Sequence, residues 1–221
     1  MKLLGNALLK FSCGVVLVGL LIFLPAGTLS YPYGWLFLGL LFVPMLIAGL
    51  IMYAKSPDFL AKRLDAKEKQ KTQKGVLGFS GLMFIAGFIV AGLDFRFGWS
   101  QMPGWVVAVA SGLFLLAYVL YAQVMRQNAY LSRTIRVEEG QTVVDTGLYG
   151  IVRHPMYSVT LLLFFMIPLI LGSWFALIAF AFYPVIIIVR LLDEERLLAQ
   201  ELPGYTQYQE KVKYRLIPFV W

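Results

Sequence analysis

The sequence predicts an all-α fold, a polytopic transmembrane helical bundle, and two observations lead to that prediction. First, 60% of the 221 residues are hydrophobic and 14% are charged, whereas roughly a quarter of the residues in soluble domains are charged. Second, six apolar segments approach the length of about 20 residues that crosses a bilayer, and none alternates as a barrel strand does. The segments cover residues 11–29, 34–54, 75–93, 104–125, 156–171 and 174–189.

The first segment has two interpretations. Lys2 and Lys10 precede an apolar core that ends at residues 25–27, as in a cleaved signal peptide. However, the apolar run continues toward Leu29, and no clear A-x-A cleavage site follows. We therefore expect a retained membrane helix. Cleavage would leave five helices with the same sidedness.

The last two segments are the shortest, and we expect a short hairpin that turns at Gly172 and Ser173. Because proline lacks the N–H that an interior helix position needs, it kinks a helix or leaves a carbonyl without its hydrogen bond. We expect this effect at four positions, Pro25, Pro44, Pro168 and Pro184.

The cations predict the orientation. If the N-terminus is cytoplasmic, all of the 19 Lys and Arg residues except Arg96 fall on the cytoplasmic side. Cytoplasmic loops of membrane proteins carry such an excess. We therefore place both termini, the basic loop 55–74 and the segment before residue 156 in the cytoplasm. The basic loop either enforces this topology as a solvated segment or attracts anionic headgroups.

Composition also limits the partners. The net charge of +7 is accounted for by membrane topology, so we expect the lipid bilayer as a partner and no nucleic acid. Cys13, the single cysteine, lies in an apolar segment. A disulfide framework and a cysteine-based zinc site are therefore excluded, and we expect no metal site.

The last third of the chain differs in kind from the rest. Residues 126–153 form a long polar connection, and connections of that length are usually functional. Within it, residues 141–144 form a short extended piece before a turn at 145–147. The stretch 147–157 joins the end of this connection to the next apolar segment, and it contains His154, the only histidine. We therefore divide the chain into N-terminal membrane helices, 1–125, and a region that carries the candidate functional site, 126–221.

The hairpin should bring two polar clusters together. Each arm has about 18 residues, or about 27 Å, so its open ends are level. Arg153, His154 and Tyr157 then lie beside Arg190 and Glu194. An ordinary surface ion pair between Arg190 and Glu194 is the alternative. Ionisable groups gathered at a membrane surface nevertheless favour a functional site.

These motifs, in this order, carry a resemblance. Residues 147–157 read G-x-Y-x-x-x-R-H-P-x-Y, 190–195 read R-x-x-x-E-E, 204–208 read G-Y-x-x-Y, and 215–218 read R-x-x-P. The combination resembles the isoprenylcysteine carboxyl methyltransferase family, which is related to the membrane phospholipid methyltransferases. The resemblance covers roughly residues 128–218. In the first four segments, the resemblance to this family is limited to the presence of apolar helices.

The resemblance implies S-adenosylmethionine-dependent methyl transfer to a lipophilic acceptor at the cytoplasmic membrane face. By the same resemblance, Arg190 faces the acceptor and Glu194 contacts the cofactor, and these two are the catalytic candidates. Gln141 stands where human-type members have a histidine, and Thr134 where they have a glutamine. The implied cofactor-binding residues are Gln141, Thr142, Val143, Val144, Tyr149, His154, Pro155, Met156, Tyr157 and Glu194.

The residues themselves suit that chemistry. Unpaired N–H groups at the start of the Pro155 helix can hold a carboxylate, and the faces of Tyr149 and Tyr157 favour a cation such as a sulfonium. Glu194 can accept from a ribose hydroxyl or an amino group. The C-terminal tail is expected to fold back over this site or to rest on the membrane interface.

Two alternatives change the function. In the first, the acceptor is a phospholipid amine or a small lipophilic thiol. An amine must lose a proton, for which Glu194, Glu195 or His154 could serve. In the second, the chain is a non-catalytic membrane protein or a transporter, and Arg190 and Glu194 are charges on a transport pathway.

Overall fold

The computed structural model describes residues 2–64, 71–131 and 137–221, and these residues contain helices and no strands. This confirms the all-α prediction. The helices are α1 (Lys2–Ala26), α2 (Pro32–Lys55), α3 (Pro57–Leu64), α4 (Lys71–Phe97), α5 (Gly104–Gln127), α6 (Pro155–Ile170), α7 (Trp174–Phe180), α8 (Tyr183–Glu201) and α9 (Tyr205–Lys211), with a 3₁₀ turn at Gly147–Gly150.

The six predicted apolar segments are all helical. Five stretches are long and apolar enough to cross a membrane, and α6 is a shorter apolar helix. The sixth segment is interrupted: α7 ends at Phe180, and α8 starts again with Pro184 in its first turn. Pro184 thus lies at the start of a new helix, whereas Pro25, Pro44 and Pro168 lie inside continuous helices. Beyond the break, α8 continues well past the predicted end at residue 189, to Glu201.

The hairpin turns where it was predicted. Gly172 has a φ of +72°, a left-handed conformation that glycine adopts without the Cβ penalty of other residues. Ser173 then caps α7, because its Oγ accepts a hydrogen bond from the Ala176 N–H at 3.0 Å. The turn is thus fixed by backbone chemistry as well as by hydrophobic pattern.

Small residues set the closest helix contacts in the bundle. A Cβ at Gly92 of α4 would lie 2.5 Å from the Ile22 carbonyl oxygen of α1, and a Cβ at Gly87 would lie 2.5 Å from the Phe180 ring of α7. Because α4 touches both neighbours this closely, it forms the centre of the N-terminal part. The last helix of the N-terminal part, α5, packs along α6.

A buried carboxylate ties the bundle together at the end where the hairpin turns. Asp94 is 2% exposed and accepts hydrogen bonds from the Ser100 N–H and Oγ, both at 2.6 Å. The hydroxyl of Ser173 donates to the same carboxylate. The end of α4 is therefore joined to the hairpin turn, which fixes the height of the two arms. We refer to this end of the bundle as the Asp94 end.

The opposite end carries α3, a short helix inside the predicted basic loop. Lys10 Nζ donates to the Leu64 carbonyl at 2.8 Å, which holds the N-terminal part of α1 against α3. Lys62 Nζ lies 2.5 Å from Glu138 Oε2, which joins α3 to the polar connection. We call this end of the bundle the α3 end. Its assignment to the cytoplasm stays a prediction.

Candidate active site

The open ends of the two hairpin arms meet at the α3 end. Tyr157, in the first turn of α6, donates its hydroxyl proton to the Glu194 carboxylate of α8. Arg190 Nε donates to the same Tyr157 oxygen at 3.0 Å. The phenol thus connects both charged residues, and the juxtaposition predicted from equal arms is confirmed.

A pocket opens beside this cluster. It measures about 820 Å³ between its walls, including the part that is open to solvent. Arg190 and every predicted cofactor-binding residue except Pro155 line it. Pro155 is buried at the first position of α6. These lining residues are Gln141, Thr142, Val143, Val144, Tyr149, His154, Met156, Tyr157, Arg190 and Glu194.

Further pocket residues were not predicted as contacts. They are Asn128, Tyr130, Leu131, Arg153, Leu198, Leu202, Tyr205 and Tyr208. The signal for Leu198 and Leu202 was available, because they continue the four-residue spacing that begins at Arg190 and Glu194 on α8. Thr134 lies outside the described residues.

The polar connection forms one wall of the pocket. Residues 141–144 belong to no helix or strand, and Gln141 anchors their start, because its Oε1 accepts from the Glu138 N–H at 2.9 Å. The 3₁₀ turn follows and presents Tyr149, whose Oη accepts from Asn128 Nδ2 at 3.1 Å. Burial, together with the nearby Glu194 carboxylate, raises the pKa of Tyr149 to about 12. Its phenol is therefore neutral at physiological pH.

Glu195, the neighbour of Glu194, has a different role. It is 5% exposed and does not line the pocket. Its Oε1 accepts from Arg153 Nε at 2.6 Å and lies 3.2 Å from His154 Nε2, and its Oε2 accepts from Arg215 Nε at 2.9 Å. Both carboxylate oxygens are thus occupied, so Glu195 holds three segments together and is not placed to take a proton from an acceptor.

The C-terminal tail folds back against the start of α6, although none of residues 212–221 lines the pocket. The Arg153 N–H donates to the Tyr214 carbonyl at 2.8 Å, and the His154 N–H donates to the Arg215 carbonyl at 3.0 Å. The prediction that free N–H groups here hold a cofactor carboxylate is therefore wrong for these two groups. The tail's own carbonyls take that place.

A second, apolar cavity lies beside α5 and α6, next to the pocket. By the same measure as the pocket it holds about 1700 Å³, including open space. Along α5, Tyr121 and Met125 face the cavity and Asn128 faces the pocket, whereas along α6 Thr160 faces the cavity and Tyr157 faces the pocket. The two spaces are therefore neighbours along one pair of helices. The remaining walls come from α1, α2 and α3.

The comparison with known families addresses the part of the chain that carries most of the pocket and one wall of the cavity. Residues 105–203 match the phospholipid methyltransferase family. That family covers the membrane methyltransferases of the isoprenylcysteine carboxyl methyltransferase type, so the resemblance seen in the sequence is confirmed at this level. The match to the phospholipid methyltransferase family runs from the start of α5 through α8, and it includes every predicted site residue. It indicates a membrane methyltransferase.

One curated relative is also similar over this length. It is the protein of Bacillus subtilis (strain 168) with the name uncharacterized protein YpbQ, which is 28% identical over 101 residues. These residues make up 45% of this chain and 60% of the relative. The chain therefore matches less than two thirds of that protein.

Proposed function

We propose that the protein uses S-adenosylmethionine to methylate a lipophilic acceptor at the cytoplasmic face of a membrane. The single observation that carries this proposal is the placement of a polar pocket and an apolar cavity side by side along α5 and α6. Methyl transfer to a lipid-like acceptor requires this combination, because a charged donor and an apolar chain must be held next to each other.

The residues of the pocket fit the cofactor. S-Adenosylmethionine would supply an electrophilic methyl group on a sulfonium. Glu194 provides a carboxylate for a cationic or hydroxyl-bearing part of that molecule. The rings of Tyr149 and Tyr157 supply faces that favour a cation. Because methyl transfer needs an aligned nucleophile in dry surroundings, positioning by the pocket would contribute most of the rate.

The acceptor would place its reactive end near Arg190 and its chain in the cavity. Arg190 is already hydrogen-bonded to Tyr157, which fixes the guanidinium at the mouth of the pocket. If the acceptor is a carboxylate, as in isoprenylcysteine, the guanidinium would orient it through charge-assisted hydrogen bonds, and no base would be needed. The cavity wall beyond it is formed by apolar side chains such as Leu163, Phe164 and Ile167.

A phospholipid amine is the second candidate acceptor, and the family match favours it. An amine must be deprotonated before it attacks the methyl group. Glu194 is the carboxylate that lines the pocket, since Glu195 is occupied by Arg153 and Arg215. Glu194 would therefore receive the proton in that reaction.

The proposal is tested on the full chain purified in detergent. Calorimetry should show binding of S-adenosylmethionine by the native protein, and Glu194→Gln should weaken it by at least tenfold. Glu201→Gln is the matched control, because Glu201 is exposed on the same helix and lies outside the pocket. If the native protein does not bind S-adenosylmethionine, the proposed function fails.

The acceptor is identified by methyl transfer from radiolabelled S-adenosylmethionine. Arg190→Gln should reduce turnover of an isoprenylcysteine carboxylate far more than turnover of a phospholipid amine, because the reacting group is an anion in the first acceptor and an amine in the second. Equal losses with both acceptors would contradict the role given to Arg190. A transporter would bind without any transfer of label.

A further inference from the structure

The hydroxyl of Tyr205 is the one polar group of the pocket wall that is buried without a partner among the described residues. Tyr205 begins α9, and the residue is 4% exposed. Buried phenols almost always form a hydrogen bond, because an unpaired hydroxyl loses its hydration without compensation. Burial and the carboxylates of Glu195 and Glu194 raise the pKa of Tyr205 above its ordinary value. The group is therefore a neutral donor.

Tyr208 provides an internal comparison. It lies one turn further along α9, and its ring centroid is 5.7 Å from that of Tyr205. Its hydroxyl donates to the Tyr149 carbonyl at 2.7 Å. Both tyrosines contribute their rings to the same apolar cluster, yet only Tyr208 also ties its hydroxyl to the fold. Packing alone therefore explains the ring of Tyr205 and leaves its hydroxyl unexplained.

The pocket changes in character along α8. Arg190, Glu194, Leu198 and Leu202 follow one another at intervals of four residues and all line the pocket. They extend over about 18 Å at 1.5 Å per residue. The charged pair is at the end that adjoins the cavity, whereas the two leucines are at the end that adjoins α9. Val143 of the polar connection lies at the leucine end, where its Cγ2 would be 3.8 Å from a Cβ added to Gly204.

We propose that the apolar end of the pocket takes the adenine ring of the cofactor and that Tyr205 Oη donates a hydrogen bond to one of its ring nitrogens. This inference rests on the proposed function. Adenine has two flat faces that suit Val143, Leu198 and Leu202, and its ring nitrogens accept hydrogen bonds. The apolar end of the pocket offers apolar walls and the Tyr205 hydroxyl as a donor, which suits the flat faces and the acceptor nitrogens of adenine. The sulfonium is then directed toward Glu194 and Tyr157, next to the cavity.

Tyr205 Oη is closed off from solvent, so the wall beside it must move when the ring enters. In this proposal the wall that moves is the 141–144 segment, because it belongs to no helix or sheet. Tyr205 pairs its hydroxyl only when the ring is in place, and its contribution is therefore specific to the bound state.

The test compares Tyr205→Phe with Tyr208→Phe in the full chain in detergent. The ligand is S-adenosylhomocysteine, which binds without turnover, and adenosine serves as a fragment. A neutral hydrogen bond contributes a factor of about 2 to 12 in affinity. We expect Tyr205→Phe to weaken both ligands by the same factor within this range, with no fall in the melting temperature of the free protein. Tyr208→Phe should lower that melting temperature, because it leaves the Tyr149 carbonyl unpaired.

A second measurement identifies the acceptor atom. Among 1-deaza-, 3-deaza- and 7-deazaadenosine, one should bind the native protein and Tyr205→Phe equally, because the nitrogen that Tyr205 contacts is missing. If Tyr205→Phe binds S-adenosylhomocysteine as well as the native protein does, the inference is overturned. A loss with S-adenosylhomocysteine but not with adenosine would also overturn it, since the hydroxyl would then contact the amino-acid end. Absence of binding by the native protein would instead refute the proposed function.

Discussion

Replacing Glu195 by glutamine should destabilise the protein strongly, whereas the same change at Glu194 should not. Glu195 is 5% exposed and pairs with Arg153, which is 7% exposed. Removing one partner of a buried ion pair costs about 3 to 5 kcal/mol, because the other charge stays buried. For a chain of this size, 1 kcal/mol corresponds to about 2 to 4 °C in melting temperature. We therefore expect Glu195→Gln to lower the melting temperature by about 6 to 20 °C.

The assay is thermal unfolding of the ligand-free protein in detergent, followed by intrinsic fluorescence. Glu194→Gln is the matched control, since it is isosteric, adjacent in sequence and only partly buried. Glutamine keeps an oxygen that can accept from the Tyr157 hydroxyl, so this variant should lose no more than about 1 kcal/mol, or about 4 °C. It should, however, lose cofactor binding. Equal melting temperatures for Glu195→Gln and the native protein would refute the role of Glu195 as the residue that joins three segments.

Two further predictions concern the bundle away from the pocket. Gly92→Ala should lower the melting temperature by about 2 to 12 °C, because the new Cβ would meet the Ile22 carbonyl and overpacking costs about 1 to 3 kcal/mol. Gly81→Ala is the control: a Cβ there has no neighbour within 4 Å, so the melting temperature should stay the same or rise. Equal effects of the two substitutions would contradict the close contact between α4 and α1. Ser173→Ala should lower the free energy of unfolding by about 1 to 3 kcal/mol, because buried Asp94 loses a hydrogen bond. The affinity for S-adenosylmethionine should not change. A change in that affinity would show that the Asp94 end is coupled to the pocket.

Hydrophobic pattern predicted most of the architecture. The six apolar segments, the turn at Gly172 and Ser173, and the level ends of the hairpin all follow from segment length and turn chemistry. The meeting of Tyr157 with Arg190 and Glu194 followed in turn from arm lengths, because helices rise by a constant amount per residue. The site residues added by the resemblance lie around one pocket, with Pro155 behind its wall.

The remaining features depend on tertiary contacts that a single sequence does not display. Glu194 and Glu195 look alike in the sequence, yet one faces the pocket and the other is buried against Arg153, because neighbouring residues on a helix point about 100° apart. Similarly, α3 lies in a basic loop with weak apolar character, and its position depends on contacts with Lys10 and Glu138. The use of the Arg153 and His154 N–H groups depends on a tail that is distant in sequence.

The shortness of α6 has a consequence for the lipid around the protein. Its 16 residues span about 24 Å, against a hydrocarbon thickness of about 30 Å. Such a mismatch is relieved by thinning of the bilayer around the helix. The first turn of α6, with Tyr157, then lies below the headgroup level of the surrounding leaflet. With the proposed function, an acceptor lipid would present its polar end to Arg190 from its own leaflet, without being lifted toward the aqueous phase. Bilayers of shorter acyl chains should therefore raise the rate of methyl transfer.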